Sequence, residues 1–314
     1  MKKIKVGVIG VGYWGKKHVE EYSKNSNVEL KAISDLSDEN LEFCKKTYGI
    51  KNTTKDYNEI LSESIDAVSI CTVNKMHFTI CKKALEAGKH VLVEKPMTLN
   101  SKEAYELIDI AKRENLNLCV GHLFRFNNAL IKVRNLIRSN FFGELGVIKL
   151  RWTARRDPIN DVDIIFDLAP HAFDILNFIT DKWPKTITCK AGMFRRENPE
   201  EWAFIIPDFG DNLVAHVEIN WLFPDKKRDI LIAGLNRTAK INCLDQSIMV
   251  YESGYPYKID VERNNTLGDE LSHFIKTIND KKIKPFNNGT LGAKTIEMIE
   301  KCFESQKRGS TVEI

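Results

Sequence analysis

The sequence is poor in the features that mark membrane, secreted and nucleic-acid-binding proteins. No apolar run approaches the ~18 residues that span a bilayer. Glycines interrupt the apolar stretch after Lys2 and Lys3, and no small-residue cleavage site follows it, so it does not predict a signal peptide. A formal net charge of +4 over 314 residues argues against a basic nucleic-acid surface. We therefore expect a small-molecule partner, with neither membrane nor nucleic acid involved.

Paired cysteines are also lacking. The seven cysteines are an odd number, include no C-x-x-C pair and mostly lie within apolar strand or helix patterns. We interpret them as reduced thiols of a core, which predicts a cytoplasmic protein. The length allows about two domains, each with a core of its own.

Apolar runs and helix-compatible segments alternate over the first 122 residues. Strand-like runs lie at residues 3–9, 28–35, 66–72, 90–95 and 117–122. Ser37 and Gly49 bracket one intervening helix as its N-cap and its terminal glycine. Strands that alternate with helices form parallel sheets through right-handed crossovers. This half therefore predicts an α/β, doubly wound Rossmann domain over residues 1–122.

The pattern changes after residue 122. One helix is predicted at about 127–139 and another near 170–179, and strand-like segments follow at short intervals. Within 211–223, one set of apolar residues alternates with polar ones: Leu213, Ala215, Val217, Ile219 and Trp221. Two helices at about 269–279 and 290–307 end the chain. Residues 123–314 thus predict an α+β domain with an open, mainly antiparallel sheet, whose free face we expect to form a homodimer or homotetramer interface.

Residues 10–15 read Gly-x-Gly-x-x-Gly directly after the first strand, and Asp35 ends the second strand. This context is what a dinucleotide fingerprint requires. Gly10 suits the tight turn, Gly12 lets the backbone approach a diphosphate, and Gly15 allows close packing of helix and strand. Asp35 would accept hydrogen bonds from ribose hydroxyls and repel a 2′-phosphate. No Arg or Lys follows within a few residues to neutralise one, so NAD is favoured over NADP.

The segment DLAPHAFDIL places Asp167, His171 and Asp174 at spacings of four and three, which share one face of a helix. A metal site, a proton-transfer site and a polar helix surface all fit this spacing. Pro170 suits the first turn of a helix, which would put Asp167 just ahead of the helix and weaken the metal interpretation. At the end of another strand, Lys95 could orient a substrate hydroxyl and lower its pKa, or simply be solvated.

Four segments occur in an order that points to a known family: GVIGVGYWGKKH, VEKPMT, GHLFRFN and DLAPHAFD. Together they resemble the Gfo/Idh/MocA family of NAD(P)-dependent sugar oxidoreductases over essentially the whole chain. The resemblance implies that Lys95 binds the reacting hydroxyl, that His171 is the general base and that Asp167 helps to hold substrate. It also implies no catalytic metal. Asp174 is then either a helper of His171 or polar surface.

Further candidates are weaker. Six residues, and Lys95 in a second role, match cofactor-binding segments of the family: Tyr13, Trp14, Thr72, Asn74, His77 and Glu94. Trp14 could equally be a packing residue. Val73 replaces the family's usual proline, which weakens the match at Thr72 and Asn74, and His77 could merely start a helix. Arg125 is a candidate substrate contact or an interdomain salt bridge. Arg155 and Arg156 are candidate diphosphate contacts or surface residues.

The substrate prediction depends on residues 164–166. Ile164, Ile165 and Phe166 stand where many sugar and inositol members of the family have glycines. The segment looks more like the branch containing UDP-N-acetylglucosamine 3-dehydrogenases. We therefore expect NAD-dependent oxidation of a secondary hydroxyl, at C3, of a nucleotide-activated amino sugar. The alternatives are a dehydrogenase of a free sugar or inositol, and a non-catalytic NAD-binding regulator.

Overall fold

The computed structural model describes residues 3–62, 64–157, 162–195, 197 and 199–314. It divides into two compact units, here called the first unit and the second unit. The first unit comprises the chain up to Leu123 together with Leu267–Ile296. The second unit comprises Phe124–Thr266 and Glu297–Ile314.

The helices and strands follow the predicted order. The helices are α1 Tyr13–Lys24, α2 Asp38–Tyr48, α3 Tyr57–Ser62, α4 His77–Glu86, α5 Ser101–Arg113, α6 Asn128–Arg138, α7 Ile164–Thr180, α8 Thr266–Asn279 and α9 Gly289–Arg308. The strands are β1 Ile4–Ile9, β2 Val28–Ser34, β3 Asn52–Thr54, β4 Ala67–Ile70, β5 His90–Val93, β6 Leu118–Val120, β7 Leu145–Thr153, β8 Thr186–Gly192, β9 Trp202–Gly210, β10 Leu213–Asn220, β11 Lys227–Gly234, β12 Thr238–Asn242, β13 Ser247–Glu252, β14 Tyr255–Ile259 and β15 Val312–Glu313.

The first unit contains the predicted parallel sheet. Its strand order is β3-β2-β1-β4-β5-β6, so the chain reverses direction across the sheet between β1 and β4. Ligands bind beyond the carboxyl ends of the strands at such a point. The structure groups the C-terminal helices differently from the single predicted boundary: Leu271, Phe274 and Ile275 of α8 pack in the core with the strands of this sheet. They do so because α8 carries an apolar stripe that needs a buried partner.

The second unit contains the predicted open sheet. Its strand order is β14-β13-β12-β11-β7-β10-β9-β8-β15, and the β7–β10 pair is parallel while the other pairs are antiparallel. The apolar face predicted for β10 is confirmed, because Ala215, Val217, Ile219 and the following Trp221 are fully buried, although Glu218 and Asn220 of the polar face are buried too. The fold class, a Rossmann domain plus an α+β domain with an open sheet, is confirmed.

The start of α7 differs from the sequence prediction. Pro170 is the seventh residue of this helix and not part of its first turn. The helix begins at Ile164 because the Asp163 carboxylate caps it, accepting hydrogen bonds from the backbone N–H groups of Ile165 (2.7 Å) and Phe166 (3.0 Å). Pro170 removes one helical hydrogen bond but does not end the helix. Asp167 therefore lies within the helix, and it shares α7 with His171 and Asp174.

Candidate active site

The turn between β1 and α1 is shaped by its glycines. Gly10 has a φ of +83°, and a Cβ there would lie 2.8 Å from the carbonyl oxygen of Cys71. A Cβ on Gly15 would overlap the carbonyl oxygen of Gly10. Gly12, the N-cap of α1, faces open space, with no atom within 4 Å of where a Cβ would be. Two of the glycines are thus needed for the fold, while Gly12 leaves room for a ligand at the helix N-terminus.

Asp35 joins this turn to the end of β2. One carboxylate oxygen accepts a hydrogen bond from the backbone N–H of Val11 (2.7 Å), and the other accepts one from Ser37 (2.8 Å). Each carboxylate oxygen can accept further bonds. Asp35 therefore stabilises the two turns and still has acceptor capacity for ribose hydroxyls.

A cavity of about 470 Å³ lies beside this turn in the first unit. The predicted residues that line it are Gly10, Gly12, Tyr13, Trp14, Asp35 and Thr72. The hydroxyl of Thr72 is buried and has no hydrogen-bond partner among the described residues, so a ligand in the cavity could supply one. These features fit a dinucleotide. Lys55 also lines the cavity, although sequence reasoning did not single it out, and its ammonium binds Asp38 at 2.7 Å.

His77 occupies a structural position near this cavity. It is fully buried at the start of α4. Its Nδ1 lies 2.7 Å from the carbonyl oxygen of Pro96, and its Nε2 lies 3.1 Å from that of Thr72. The imidazole thus links the Thr72 segment to the turn after Lys95. Asn74 begins the 3-10 turn that leads into α4.

Glu94 is held inside the first unit by a residue that sequence reasoning missed. The fully buried His18 donates from Nε2 to Glu94 Oε1 at 3.1 Å, and the backbone N–H of Lys95 donates to Oε2 at 3.2 Å. Burial raises the pKa of Glu94, but the hydrogen bond from His18 and the charges of His18 and Lys95 lower it by more, so the group stays ionised. Glu94 is therefore committed to its protein partners, whereas Lys95 is only half-buried.

The signal that could have found His18 is its spacing. It lies three residues after Gly15 on α1, one turn along the same inward face of that helix. Gly121, at the neighbouring strand end, leaves room for the same carboxylate, because a Cβ there would lie 2.9 Å from Glu94 Oε2.

In the second unit, α7 presents Asp167 and His171 one turn apart, and both side chains are buried. Asp167 Oδ2 accepts hydrogen bonds from Nη2 of Arg156 and, at 3.2 Å, from Nε1 of Trp221. The Arg156 guanidinium also lies 5.1 Å from the Trp221 ring. The carboxylate and the tryptophan therefore hold Arg156 in place although its side chain is 40% exposed, and Arg155, its neighbour in the chain, is also exposed.

Two of the predicted substrate residues form an ion pair with each other. Arg125 Nε lies 2.6 Å from Asp174 Oδ1, and Arg125 Nη2 lies 2.8 Å from Asn177 Oδ1. The side chains are only 6% and 1% exposed. The two charges thus compensate each other within the second unit. Because they are paired, the two side chains can be buried even when no substrate is bound.

Aromatic rings connect His171 to the sheet. Phe124 makes edge-to-face contacts with both His171 and Trp152, each at 5.2 Å between ring centres. The guanidinium of Arg228, at the start of β11, lies over the Trp152 ring, 5.6 Å from its centre. Sequence reasoning missed Arg228, which stands in no motif, because only the β7–β11 register places it opposite Trp152.

Two kinds of feature are absent from the described residues. Their His, Cys, Asp and Glu side chains form no group of three or more that could hold a metal ion. No described helix is both long and apolar enough to cross a membrane.

Family models match both halves of the chain. Residues 4–122 match the oxidoreductase family with an NAD-binding Rossmann fold, and residues 130–242 match the Gfo/Idh/MocA C-terminal domain. The chain belongs to the Gfo/Idh/MocA oxidoreductase family. Its first unit is accordingly an NAD-binding Rossmann domain, as the glycine turn and the cavity beside it indicated.

Individual proteins are similar to this chain at low sequence identity. UDP-N-acetylglucosamine 3-dehydrogenase of Acidithiobacillus ferrooxidans is 26% identical over 88% of this chain and 90% of its own length. A solved structure of that enzyme has a TM-score of 0.87 at 24% identity, covering 98% of this chain and 99% of that chain. Levoglucosan dehydrogenase in complex with NADH has a TM-score of 0.90 at 17% identity, covering 100% of this chain and 99% of that one. Myo-inositol 2-dehydrogenase of Thermotoga maritima is 28% identical over 56% of this chain and 54% of its own length.

Proposed function

We propose that the protein is an NAD-dependent dehydrogenase that oxidises the C3 hydroxyl of a nucleotide-activated amino sugar, such as UDP-N-acetylglucosamine, to the 3-keto sugar. The observation that carries this proposal is the buried cluster in the second unit, where α7 presents an imidazole and a carboxylate beside Arg156. Such a cluster suits a polar and anionic substrate. The relative matched over nine-tenths of its length acts on UDP-N-acetylglucosamine, which supports the same class.

The chemistry of the proposed reaction is assigned to three side chains, of which Lys95 and His171 handle the proton. Lys95 binds the reacting hydroxyl, and its positive charge lowers the pKa of that hydroxyl. His171 accepts the proton as general base, and Asp167, fixed by Trp221 and Arg156, helps to hold the sugar. The nicotinamide, when bound, supplies the hydride acceptor. Arg125 and Asp174 act through their ion pair, which positions α7 rather than contacting substrate.

NAD is proposed over NADP. The carboxylate of Asp35 lines the cavity, where it would accept bonds from ribose hydroxyls and repel a 2′-phosphate. Lys55 lines the same cavity, but its charge is compensated by Asp38. Gly10, Gly12 and Gly15 provide the turn for the diphosphate, while Tyr13, Trp14, Thr72 and Asn74 belong to the adjacent segments. His77 and Glu94 support this half from inside the unit.

The experiment is an activity panel. Reduced cofactor is measured with UDP-N-acetylglucosamine, other UDP- and dTDP-sugars, free hexoses and inositols, each with NAD and with NADP. Lys95→Ala and His171→Ala should each lower kcat by at least about 100-fold, because each removes a group that handles the transferred proton. Their affinity for NAD should be unchanged. Lys102→Ala, which removes an exposed lysine of α5, is the matched control and should retain full activity.

The outcomes separate the alternatives. Turnover of inositols or free sugars alone would reject the nucleotide-sugar assignment in favour of a polyol dehydrogenase, the class of the Thermotoga relative. NAD binding without turnover of any alcohol would instead indicate a non-catalytic regulator. Full activity in either the Lys95 or the His171 variant would refute its assigned role.

A homo-oligomer formed through the open sheet is part of the proposal. The outward face of the sheet exposes large apolar side chains: Val147, Phe204, Ile206, Leu231 and Tyr251. Apolar groups gathered on one sheet face favour association with a second copy. Sedimentation would measure whether a dimer or a tetramer forms. The cytoplasmic location stays a prediction from the cysteines, all seven of which are free thiols in the structure.

A further inference from the structure

Arg228 is unusual among the arginines of the second unit. Its Nη1 donates only to backbone carbonyls, those of Lys227 at 2.7 Å and Thr153 at 3.1 Å. One face of its guanidinium plane lies over the ring of Trp152. Within the part of the chain that the structure describes, no carboxylate lies within 4.0 Å of it.

Neighbouring arginines are neutralised. Arg151 binds Asp229 through two hydrogen bonds (3.0 and 2.6 Å), which occupies the acidic residue next to Arg228 in the chain. Arg195 binds Glu201 at 2.6 Å, and Arg156 binds Asp167. Burial and the repulsion of Arg156 lower the pKa of Arg228 to about 10, which still leaves it charged at neutral pH. Among the residues that the structure describes, no carboxylate therefore compensates the charge of Arg228.

The register of the sheet determines which of its two faces carries Arg228. In the β7–β11 register Arg228 lies opposite Trp152, on the face that carries the buried Ile230 and Ile232. The ring of Phe124 separates Trp152 from His171, with contacts of 5.2 Å on both sides. Arg228 is thus linked to the proposed base through the rings of Trp152 and Phe124, all within the second unit.

A partly buried guanidinium that has no counter-ion among the described residues is well suited to bind an anion. The planar fork donates two parallel hydrogen bonds to a phosphate or a carboxylate. Its carbonyl and aromatic contacts already fix its orientation, so little rotamer entropy is lost on binding. Arg156 lies nearby and keeps further N–H donors for the same anion, while Asp167 neutralises its charge.

We propose that Arg228, with Arg156 beside it, is the anion-binding site of the substrate pocket, and that it binds the diphosphate of the nucleotide sugar. This inference rests on the proposed function for its choice of diphosphate. A sugar carboxylate offers the same chemistry from another source. The experiment therefore includes both anions and neutral sugars.

Binding of UDP, UDP-N-acetylglucosamine, glucuronate and N-acetylglucosamine is measured by calorimetry on the full-length chain saturated with NADH, which cannot accept a hydride from the sugar. Arg228→Gln should weaken UDP and UDP-N-acetylglucosamine binding at least tenfold and leave NAD affinity unchanged. Arg228→Lys keeps the charge without the fork and should bind with intermediate affinity. Arg138→Gln is the matched control: it removes an exposed arginine whose partner Asp181 keeps Arg134 at 2.7 Å, and it should bind like the wild type.

Thermal unfolding separates binding from folding. Arg228→Lys should unfold at the wild-type temperature, so a loss of affinity in that variant is not a loss of fold. Equal UDP affinity in the wild type and Arg228→Gln would overturn the inference even if UDP-N-acetylglucosamine is turned over. If the wild type instead binds glucuronate but not UDP, and Arg228→Gln loses that binding, the anion site stands with a carboxylate as its ligand. The nucleotide-sugar function then fails.

Discussion

The two units hold their candidate functional residues by different means. In the first unit, backbone geometry forms the binding surface: Gly10 and Gly15 allow a turn that no side chain would permit, and Gly12 leaves space at the N-terminus of α1. In the second unit, side chains from separate elements hold one another. Asp167 of α7 is fixed by Trp221 and Arg156, and Arg125 is fixed by Asp174.

This difference affects how each unit tolerates amino-acid substitutions. A backbone-formed site is sensitive to an added methyl group and insensitive to most side-chain exchanges around it. A site of mutually paired charges is sensitive to the removal of either partner, because the remaining charge is left buried. The following predictions test this contrast, beginning with the largest expected effect.

Arg125→Met should lower the free energy of unfolding by about 3–5 kcal/mol, because it removes the guanidinium from a carboxylate that is only 1% exposed. Denaturant unfolding followed by fluorescence measures the change. Arg138→Met, at the end of α6, is the control. Its loss should be below about 0.5 kcal/mol, since it is exposed and Asp181 retains Arg134. A loss below about 1 kcal/mol for Arg125→Met would contradict the view that buried pairing stabilises the second unit.

Gly15→Ala should destabilise the first unit by roughly 2–3 kcal/mol and abolish NAD binding, because its Cβ would overlap the carbonyl oxygen of Gly10. Gly12→Ala is the matched variant. Its Cβ faces open space, so it should leave the unfolding temperature unchanged while weakening NAD binding at the helix N-terminus. Thermal unfolding and NAD titration of both variants provide the test. Equal stability losses in the two would show that close packing is not what distinguishes these glycines.

Asp163→Asn should change the pH dependence of stability. Burial raises the pKa of Asp163 to about 6, above its ordinary value of 3.8, so the folded chain binds more protons than the unfolded one between these values. Wild-type stability from this group is therefore present at low pH and lost as pH rises through 6, by roughly 1 kcal/mol per pH unit. The asparagine keeps an acceptor for the α7 cap and removes this slope. Unfolding curves between pH 4 and pH 7 measure it, and parallel pH profiles for wild type and variant would argue against the assignment.

The sequence by itself determined the first unit in detail. Strand and helix periodicity, the glycine spacing at 10–15 and the position of Asp35 are all local signals, because turn chemistry and side-chain alternation act over a few residues. The same locality made the family segments recognisable and placed α7 close to its true position. The start of that helix was missed because an N-cap aspartate, Asp163, outweighed the helix-start preference of Pro170.

Only the tertiary structure decided which charged groups meet. His18 and Glu94 are separated by 76 residues and Arg125 and Asp174 by 49, and nothing local in the sequence pairs them. Arg228 becomes notable only because β11 lies beside β7 in one register, which brings its guanidinium over Trp152 and leaves it without a carboxylate partner among the described residues. Such pairings depend on how distant segments pack, and a one-residue shift in that register would turn Arg228 to the opposite face of the sheet.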